Sequence, residues 1–369
     1  MQCKHFGECG SCRLYENGYD FQLKLKSEEI KKRFSGIYNG EIRQYASRRS
    51  HYRSRAEFKV WHVGDEMHYA MNARNHKGVV LIEECPMVIE PIADLMWKLL
   101  ERIKSAGLGR KLFGVDFLGT KKGEIVVSML YHRRLDEVWE SIAREVALEF
   151  GIGIIGRSRK QKLVIGKDYV TETLHVRDNA YRFQQIENSF TQPNAGVNEQ
   201  MVSWALEQFE DSHGDLLELY CGAGNFTIPL ASVFKRVLAT EISKASINAA
   251  KVNMQLNGVD NIEFVRMSAE EFVQALDGIR EFRRMKDIDI NSYKLTSLFV
   301  DPPRAGLDEE SCRFASRFEN LLYISCNPET LARDMKYLLK THKIESMAMF
   351  DQFPYTSHME MGVRMLKCV

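Results

Sequence analysis

The second half of the chain alternates short apolar segments with longer amphipathic ones, and this alternation limits the fold more than any other feature. The apolar segments are 215–219, 236–241, 262–265, 295–300 and 320–324, and helical patterns separate them. Strands that alternate with helices predict a mainly parallel sheet with helices on both faces. Ligands of such sheets bind outside the carboxyl ends of the strands. Functional residues are therefore expected directly after these segments.

The first half of the chain has a different pattern. Residues 14–34 are helical in character, and residues 92–103 form an amphipathic helical pattern. Alternating residues on both sides of Gly64-Asp65 predict a β-hairpin, and residues 123–130 predict a buried strand. These patterns indicate an α+β structure. We predict three regions: a cysteine-rich segment with a helix (1–45), an α+β domain (46–185) and an α/β domain (186–369).

Composition excludes some classes of protein. The chain has 369 residues, of which 44% are hydrophobic, so it can bury more than one core. It lacks the apolar run of roughly 20 residues that a membrane helix needs, and its first residues are too polar for a secretory signal. We therefore expect a cytoplasmic protein without a membrane partner. Its eight cysteines are then thiols, metal ligands or nucleophiles rather than disulfides. The net charge of +1 does not exclude nucleic acid, because basic residues cluster locally.

A glycine-containing loop follows the first strand of the α/β half. Gly222 and Gly224 let the backbone turn sharply and approach a ligand closely. Glu241 ends the next strand about twenty residues later, where a carboxylate can accept both hydroxyls of a ribose. The loop lacks the third glycine of a dinucleotide fingerprint, so a nucleoside cofactor without a pyrophosphate fits better. The stretch Leu217-Glu-Leu-Tyr-Cys-Gly-Ala-Gly224 resembles the first motif of S-adenosylmethionine-dependent methyltransferases. The alternative is a plain glycine turn beside a surface glutamate.

Two chemically reactive side chains follow the last two predicted strands. Asp301 precedes two prolines, which keep the chain out of a helix at the end of its strand. Cys326 occupies the matching position on the next strand, ahead of Asn327. The segment 353–360 adds a histidine and a carboxylate, Glu360, in otherwise apolar surroundings. Because parallel strands end at one edge of a sheet, Asp301 and Cys326 are expected to lie on the same rim.

Four motifs together carry a more specific resemblance. They are Asp301-Pro-Pro-Arg-Ala-Gly-Leu307, Ile324-Ser-Cys-Asn-Pro-Glu-Thr-Leu331, Asp351-Gln-Phe-Pro-Tyr-Thr-Ser-His-Met-Glu360 and Ser189-Phe-Thr-Gln-Pro-Asn194. They resemble the RNA uracil-C5 methyltransferase family. Residues 50–58 and 111–113 are similar to its transfer-RNA branch, so the resemblance covers nearly the whole chain. It implies a Rossmann-like S-adenosylmethionine-dependent methyltransferase domain with a mainly parallel, doubly wound sheet, preceded by an α+β RNA-binding domain.

The resemblance also assigns roles. Carbon C5 of uracil is too weak a nucleophile to take a methyl group from a sulfonium unless a nucleophile first adds to C6, and a thiolate does this well. By resemblance, Cys326 is the nucleophile and Glu360 the base that removes the C5 proton. The residues implied to line the cofactor site are Gln192, Tyr220, Gly222, Asn225, Glu241 and Asp301. The alternatives are a buried structural thiol for Cys326, a surface carboxylate for Glu360 and a structural role for His358. Cys221, Cys312 and Cys368 are predicted to be structural.

Three further cysteines lie within the first twelve residues. Cys3, Cys9 and Cys12 need a fourth ligand to complete a metal site, and Cys85 is the best remaining candidate. Thiolate-only ligation suits zinc or an iron–sulfur cluster. Some relatives of the family carry a four-iron cluster on a similar pattern, so the resemblance favours a 4Fe-4S cluster over zinc or free thiols. The transfer-RNA branch often lacks these cysteines, which leaves ribosomal RNA open as a substrate.

A basic segment before the predicted hairpin mixes arginines with aromatic side chains, a composition that suits phosphate contacts and stacking on unpaired bases. Its candidate RNA-binding residues are Arg48, Arg49, Tyr52, Arg53 and Arg55. A second basic cluster spans residues 157–162. A thiolate must approach C6 from the face of the ring, so the target base has to leave its stack. No segment precedes Cys3 that could form an additional RNA-binding barrel, which favours a compact target.

By this resemblance, we expect a tRNA (uracil-5-)-methyltransferase that acts on uridine 54 of the T-loop, with tmRNA as a further RNA partner and no obligatory protein partner. The main alternative is a 23S rRNA uracil-C5 methyltransferase. Asp-Pro-Pro-Arg also resembles slightly the Asp-Pro-Pro-Tyr motif of amino methyltransferases, which need no cysteine. A non-catalytic iron–sulfur RNA-binding protein is a more remote alternative. Dependence of activity on Cys326 distinguishes these classes.

Overall fold

A computed structural model describes residues 1–368 as two large sheets, a two-stranded ribbon and nine α-helices. The chain begins with helix α1 (Gly18–Phe34), followed by the short strand β1 (Ile42–Tyr45). Helix α1 was predicted from residue 14. It begins only at Gly18 because Asn17 has a left-handed backbone conformation, with φ of 59°. Within the described residues, no helix is long and apolar enough to cross a membrane.

The N-terminal sheet has seven strands: β2 (Arg55–Val63), β3 (Glu66–Asn72), β4 (Val79–Leu81), β5 (Leu112–Gly119), β6 (Ile125–Tyr131), β7 (Gly153–Ser158) and β8 (Gln161–Ile165). Their order across the sheet is β4-β3-β2-β5-β6-β7-β8. The predicted hairpin is confirmed, because Val63 pairs with Glu66 across the Gly64-Asp65 turn. Only β6 and β7 are parallel neighbours, which requires a crossover connection between them.

Helices α2 (Glu90–Ser105) and α3 (Glu137–Phe150) pack on one face of this sheet. Helix α3 is the crossover between β6 and β7, and it ends at Gly151, whose φ of 65° suits a glycine. The two helices and the strands share a single hydrophobic core in which Trp139 is almost fully buried. The first half is therefore the α+β layer structure that its sequence predicts.

A two-stranded antiparallel ribbon follows, formed by β9 (Tyr169–Val176) and β10 (Asn179–Ile186). Its apolar side chains pack in the same hydrophobic cluster as helices of the second half, which are α4 (Ala195–Gln208) and α6 (Lys244–Leu256). Asn253 and Asn257 of α6 bond its backbone directly. The ribbon thus packs with the C-terminal half, although residues up to 185 were predicted to belong to the preceding domain.

The C-terminal sheet has eight strands, β1 together with β11 (Asp215–Leu219), β12 (Val237–Thr240), β13 (Ile262–Val265), β14 (Leu295–Val300), β15 (Asn320–Ser325), β16 (His342–Phe350) and β17 (Glu360–Lys367). Their order is β1-β16-β17-β15-β14-β11-β12-β13. All neighbours are parallel except the two pairs that contain β17. Strands β11 to β13 extend to one side, whereas β14 and β15 extend to the other, so the strand order reverses at β11. A crevice for a ligand is expected at such a reversal.

Helices cover both faces of this sheet, as the apolar strands predicted. Alternate residues of each strand enter different cores: Leu298 and Val300 contact one, and Phe299 contacts the other. The remaining helices are α5 (Thr227–Leu230), α7 (Ala269–Leu276), α8 (Glu309–Ala315) and α9 (Pro328–Leu338). Helix α1 joins α7, α8 and α9 in the first core.

The sequence patterns did not predict the far edge of the sheet. Strand β1 lies in the basic segment and pairs in parallel with β16, from Ile42 opposite Met347 to Tyr45 opposite Phe350. The predicted N-terminal region thus contributes both a strand and helix α1 to the C-terminal sheet and its core. The division into three domains stays a prediction.

Candidate active site at the carboxyl edge of the C-terminal sheet

The glycine loop leaves β11 in a strained conformation. Tyr220 has a φ of 64°, a left-handed value that non-glycine residues seldom adopt, and Gly222 and Gly224 have φ values of 54° and 85°. A side chain at Gly222 would meet no atom within 4 Å. The loop therefore borders open space at Gly222, as expected for a backbone that approaches a ligand closely.

Glu241 follows β12 and faces this loop. Its two carboxylate oxygens accept hydrogen bonds from the backbone N–H groups of Gly222, at 3.2 Å, and Ser243, at 2.7 Å. Glu241 is half-buried. The structure therefore brings the predicted carboxylate to the glycine loop, where it retains lone pairs for a further donor such as a hydroxyl group.

The other two predicted polar residues of the cofactor site are tied to neighbouring elements. Asn225 and the buried Asn198 of α4 exchange two side-chain hydrogen bonds, at 2.7 and 2.9 Å. Gln192 accepts a bond from the Nε2 of Gln352 at 3.1 Å. Gln192 is thereby linked to the loop between β16 and β17 rather than to the glycine loop.

Asp301 lies at the end of β14, next to the glycine loop. Leu219 pairs with Val300, so continuing that register by one residue places Tyr220 beside Asp301. The loop after Asp301 is fixed to helix α9, because Asp334 accepts the N–H of Leu307 at 2.8 Å and the hydroxyl of Tyr323 at 2.7 Å. This connection holds the Asp-Pro-Pro-Arg loop against the strand that leads to Cys326.

Cys326 and Glu360 face each other across two antiparallel strands. Ser325 of β15 pairs with Met361 of β17, so continuing the register by one residue sets Cys326 opposite Glu360. Asn327 caps helix α9 by accepting the N–H of Glu329 at 3.1 Å, and its amide donates to the carbonyl of Arg304 at 3.1 Å. Cys326 is therefore held in a short, well-braced turn between a strand and a helix. It is half-buried rather than sealed in the core.

Burial and neighbouring charges shift the pKa values of the three central groups, Cys326, Glu360 and Asp301. Burial, followed by the charge of Asp301, raises the pKa of Glu360 to about 8, and nearby Arg304 opposes this rise. Burial raises the pKa of Asp301 to about 7. Burial and then the charges of Glu360 and Asp301 raise the pKa of the Cys326 thiol to about 11, again against Arg304. Arg304 was quoted in a motif but received no predicted role, because only the fold brings it to both groups.

The surroundings of the glycine loop also contain buried polar atoms that lack a partner. They include Glu218 Oε2 at the end of β11, Thr227 Oγ1 at the start of α5 and Gln352 Oε1 near Gln192. Buried polar atoms normally have hydrogen-bond partners. The open space at Gly222 and the carboxylate of Glu241 fit a polar nucleoside-type ligand bound along this edge of the sheet.

The predicted iron–sulfur site is not supported. Cys3, Cys9, Cys12 and Cys85 all line one cavity of about 430 Å³, together with Arg53 and His358. Within residues 1–368, however, no group of three or more His, Cys, Asp or Glu side chains is arranged to hold a metal ion. Burial, followed by the charges of the other three thiols, raises the pKa of Cys12 to about 12, and burial raises that of Cys85 to about 11.

The predicted RNA-binding residues divide into exposed and enclosed groups. Arg48 and Arg49 are exposed, and Arg49 pairs with Asp20 at 2.7 Å. Arg53 and Arg55 are half-buried, and Arg55 donates to the carbonyl of Ser189 at 2.6 Å. Tyr52 is only 4% exposed.

The expectation that Tyr52 stacks on RNA bases is wrong for this structure, because its ring lies in the core. Its hydroxyl donates to the carbonyl of Pro354 at 3.1 Å. Tyr52 therefore joins the basic segment to the loop that precedes Glu360.

The N-terminal sheet carries a basic surface, which the sequence indicated only in part. The rings of Phe113 and His132 stack there with centroids 3.9 Å apart and an angle of 15° between their planes. Phe113 is 39% exposed. Cationic side chains surround this pair, namely Arg133, Arg134, Arg157, Arg159 and Lys160. The basic cluster 157–162 indicated part of this surface from the sequence. The stack of Phe113 on His132 could not be predicted, because it forms only when β5 and β6 pair.

Known proteins resemble the chain over its full length. A family model described as tRNA (uracil-5-)-methyltransferase matches residues 18–368. A protein of Sulfurimonas denitrificans named tRNA/tmRNA (uracil-C(5))-methyltransferase is 60% identical over 368 residues, which is 100% of both chains. One of Sulfurovum with the same name is 50% identical, again over 100% of both chains.

A solved structure shares the fold at low identity. The Pyrococcus abyssi tRNA (uracil-54, C5)-methyltransferase in complex with S-adenosyl-L-homocysteine superposes with a TM-score of 0.73 at 23% identity, covering 96% of this chain and 85% of that one. The mixed α/β fold with its largely parallel sheet is therefore that of a known methyltransferase structure. The match of the family model to almost the whole chain, with relatives identical at half of their positions or more, shows that this chain belongs to the tRNA (uracil-5-)-methyltransferase family.

Proposed function

We propose that this protein methylates carbon C5 of a uridine in transfer RNA, uridine 54 of the T-loop, with S-adenosylmethionine as the methyl donor. The observation that carries the proposal is the position of Cys326 directly opposite Glu360, beside Asp301 and the glycine loop. The names of the relatives include tmRNA, so we extend the proposal to the corresponding loop of that RNA.

The reaction would begin at Cys326. Its thiol loses a proton, and the thiolate adds to C6 of the target uracil, which breaks the C5–C6 π bond and moves its electron pair toward C5 and the C4 carbonyl. The raised thiol pKa means that a proton acceptor must assist this step near neutral pH. Asp301, whose charge acts on this thiol, would accept the proton, because Glu360 must be unprotonated later to take the proton from C5. Half-burial leaves the sulfur reachable for a base that has left its stack.

The cofactor site would be formed by the glycine loop, Glu241, Asn225, Gln192 and Asp301. When bound, S-adenosylmethionine supplies an electrophilic methyl group to C5. Glu241 would accept ribose hydroxyls, because its oxygens already face the loop at Gly222. Asn225 is oriented by its paired bonds with Asn198. These contacts prearrange the site and reduce the ordering that binding requires.

Glu360 would complete the reaction. After methylation, C5 carries both a methyl group and a proton, and that proton must leave before the bond between sulfur and C6 can break. A carboxylate whose pKa is raised to about 8 is a far stronger base than an exposed glutamate. Removing the proton restores the C5–C6 double bond, releases the Cys326 thiolate and leaves 5-methyluridine.

The RNA would bind across the N-terminal sheet. Exposed cations of the surface around Phe113 and His132 suit phosphate contacts, and the two stacked rings offer a flat apolar face to an unpaired base. Phe190 is another exposed ring, two residues before Gln192. The ribosomal alternative has no observation of its own in its favour. No step of the proposed reaction passes through Cys3, Cys9, Cys12 or Cys85.

The proposal is tested by comparing wild type with Cys326→Ala and with Cys368→Ala, which changes an exposed thiol at the other end of the sheet. Purified protein, S-adenosylmethionine and unmodified tRNA are incubated, and nucleosides are quantified by mass spectrometry. Wild type and Cys368→Ala are expected to form 5-methyluridine at position 54, whereas Cys326→Ala forms none and still binds S-adenosylhomocysteine. Turnover by Cys326→Ala, or methylation of ribosomal RNA alone, would contradict the proposal.

A further inference from the structure

The loop 351–359 determines where Glu360 lies. It connects β16 to β17, and Phe350 and Glu360 face each other in the ladder immediately before and after it. Any movement of this loop therefore moves the first residue of β17. The loop also contains Tyr355, whose φ of 61° is an unfavourable left-handed value for a side chain of this size. Such a loop needs external contacts to keep one conformation.

A single buried ammonium group on helix α1 supplies these contacts. Lys26 Nζ lies 2.6 Å from Asp351 Oδ1, 3.0 Å from the carbonyl oxygen of Phe353 and 3.1 Å from that of His358. An ammonium group has three hydrogens, and all three find acceptors here. The side chains of Lys26 and Asp351 are only 3% and 0% exposed. Residues at both ends of the loop, Asp351 and His358, are thus hydrogen-bonded to the same atom, Nζ of Lys26.

A second residue of α1, one turn earlier, reinforces the arrangement. Gln22 donates to Asp351 Oδ2 at 2.9 Å and accepts the backbone N–H of Tyr355 at 3.1 Å. The carbonyl of Tyr355 accepts from the backbone of Arg13 and Leu14. Burial of Lys26 lowers its pKa, and the charge of Asp351 opposes this effect. A buried ion pair is a costly way to stabilise a fold, because replacing such pairs by apolar residues is often neutral.

We propose that Lys26 is a positioning residue for the methyl-transfer reaction: by holding both ends of the loop 351–359 on one ammonium group, it fixes the carboxylate of Glu360 against Cys326. The inference rests on the proposed function. The contacts of Lys26 Nζ are all with the loop 351–359, so its effect passes through Glu360. Removing it should impair proton abstraction more than the first attack of Cys326.

The test uses the double variant Lys26→Met/Asp351→Asn, which removes both charges together. A single substitution would leave one charge buried without its partner and could unfold the protein. The Asp351→Asn change keeps an oxygen acceptor for Gln22. Lys24→Met is the matched control, since Lys24 lies on the same helix with 73% of its side chain exposed.

The double variant is expected to bind S-adenosylhomocysteine like wild type and to form the covalent RNA adduct at Cys326. Its kcat should fall by about 10- to 100-fold, the loss expected from a displacement of about 1 Å, while KM for tRNA changes by less than about twofold. The adduct should accumulate on denaturing gels, and the amide of Tyr355 should exchange with solvent faster. Lys24→Met should match wild type in all four measurements.

Turnover of the double variant within about twofold of wild type would overturn the role of Lys26. So would a parallel loss of cofactor binding, adduct and turnover, because that pattern indicates general destabilisation. Failure of wild type to form 5-methyluridine would instead contradict the proposed function. In that case, exchange at Tyr355 would still show whether Lys26 anchors the loop.

Discussion

At the scale of single residues, the proposed chemistry depends on the ionisation of three neighbouring groups, the Cys326 thiol and the carboxyl groups of Glu360 and Asp301. Burial raises the pKa of Cys326, Glu360 and Asp301. The charge of Asp301 raises the pKa of Glu360 further, and the charges of both carboxylates raise that of Cys326. Arg304 is the cation that opposes these shifts at both Cys326 and Glu360. Burial is therefore the main cause of the raised pKa values in the site, and the positive charge of Arg304 lowers those of Cys326 and Glu360 in part.

The first prediction concerns Arg304 and the reactivity of Cys326. Replacing Arg304 by Met removes the charge that favours the thiolate, so alkylation of Cys326 by iodoacetamide at about pH 8 should slow by about 3- to 10-fold. Peptide-resolved mass spectrometry measures the rate without RNA. Arg313→Met, an exposed arginine on α8, should leave the rate unchanged. A loss of equal size at every pH, including values above the thiol pKa, would argue against an electrostatic effect.

The second prediction concerns Glu360 and stability. Its pKa is about 8 in the folded protein and near 4.5 ordinarily, so the folded state holds this proton more tightly than the unfolded state. Stability contributed by this proton is complete at low pH and is lost as the pH rises from about 4.5 to about 8. Glu360→Gln should therefore raise the free energy of unfolding by about 1–3 kcal/mol at pH 8.5 and change it little at pH 4.

Urea unfolding at the two pH values measures this difference. Glu319→Gln, an exposed carboxylate, serves as the control and should show no dependence on pH. A gain for Glu360→Gln that is the same at both pH values would mean that the carboxylate is not protonated preferentially in the folded state.

At the scale of elements, β17 brings Glu360 to the site, and its packing depends on one glycine. A Cβ atom added at Gly362 would lie 2.4 Å from Cζ3 of Trp204, a fully buried side chain of α4. Gly362→Ala should therefore lower the free energy of unfolding by about 1–3 kcal/mol through overpacking. Gly36→Ala, where an added Cβ meets no atom within 4 Å, should change it by less than about 0.5 kcal/mol. Thermal unfolding of both variants checks this, and equal stability would contradict the packing described.

The elements also show how far sequence patterns reach. Strands 215–219, 262–265 and 295–300 were predicted with their observed bounds, because short apolar runs between helices have few other interpretations. The placement of β1 beside β16 could not be predicted, because its residues Ile-Arg-Gln-Tyr show no clear strand pattern and its partner lies some 300 residues away. Its pairing is a property of the assembled sheet.

Some residues of the site could likewise be predicted from the sequence, and others could not. Asp301, Cys326 and Glu241 could be predicted to share one edge, because they follow strands of one parallel sheet. Lys26 could not be connected with Asp351, since a lysine among several on a helix is usually exposed. The stack of Phe113 on His132 likewise depends on the antiparallel register of β5 and β6.

At the scale of the whole molecule, the proposed function assigns recognition of RNA to the N-terminal sheet and the chemistry to the C-terminal sheet. Exposed cations and the Phe113–His132 stack lie on the N-terminal sheet, whereas the reactive groups lie on the edge of the C-terminal sheet. The basic segment packs against the loop 351–359 through Tyr52, and helix α1 holds the same loop through Lys26.

The last of these predictions separates stacking from charge in RNA binding. Phe113→Ala should weaken binding of a T-arm RNA by about 1–3 kcal/mol with an unchanged dependence on salt, because stacking releases no counterions. Arg159→Gln should weaken it less and lower the slope of log K against log salt by about 1. Lys286→Gln, an exposed lysine outside this surface, is the control. Fluorescence anisotropy at several salt concentrations measures both quantities, and wild-type binding by Phe113→Ala would exclude the stack from the interface.

The central claim is that Cys326 bonds to the target uracil and that Glu360 is needed to release it. The most direct measurement is mass spectrometry of the Cys326 peptide after Glu360→Gln has been incubated with T-arm RNA and S-adenosylmethionine and the RNA has been digested. The account predicts that this peptide carries a methylated uridine nucleotide, which wild type releases and Cys326→Ala never forms. An unmodified Cys326 peptide, or a nucleotide attached to another cysteine, would contradict it.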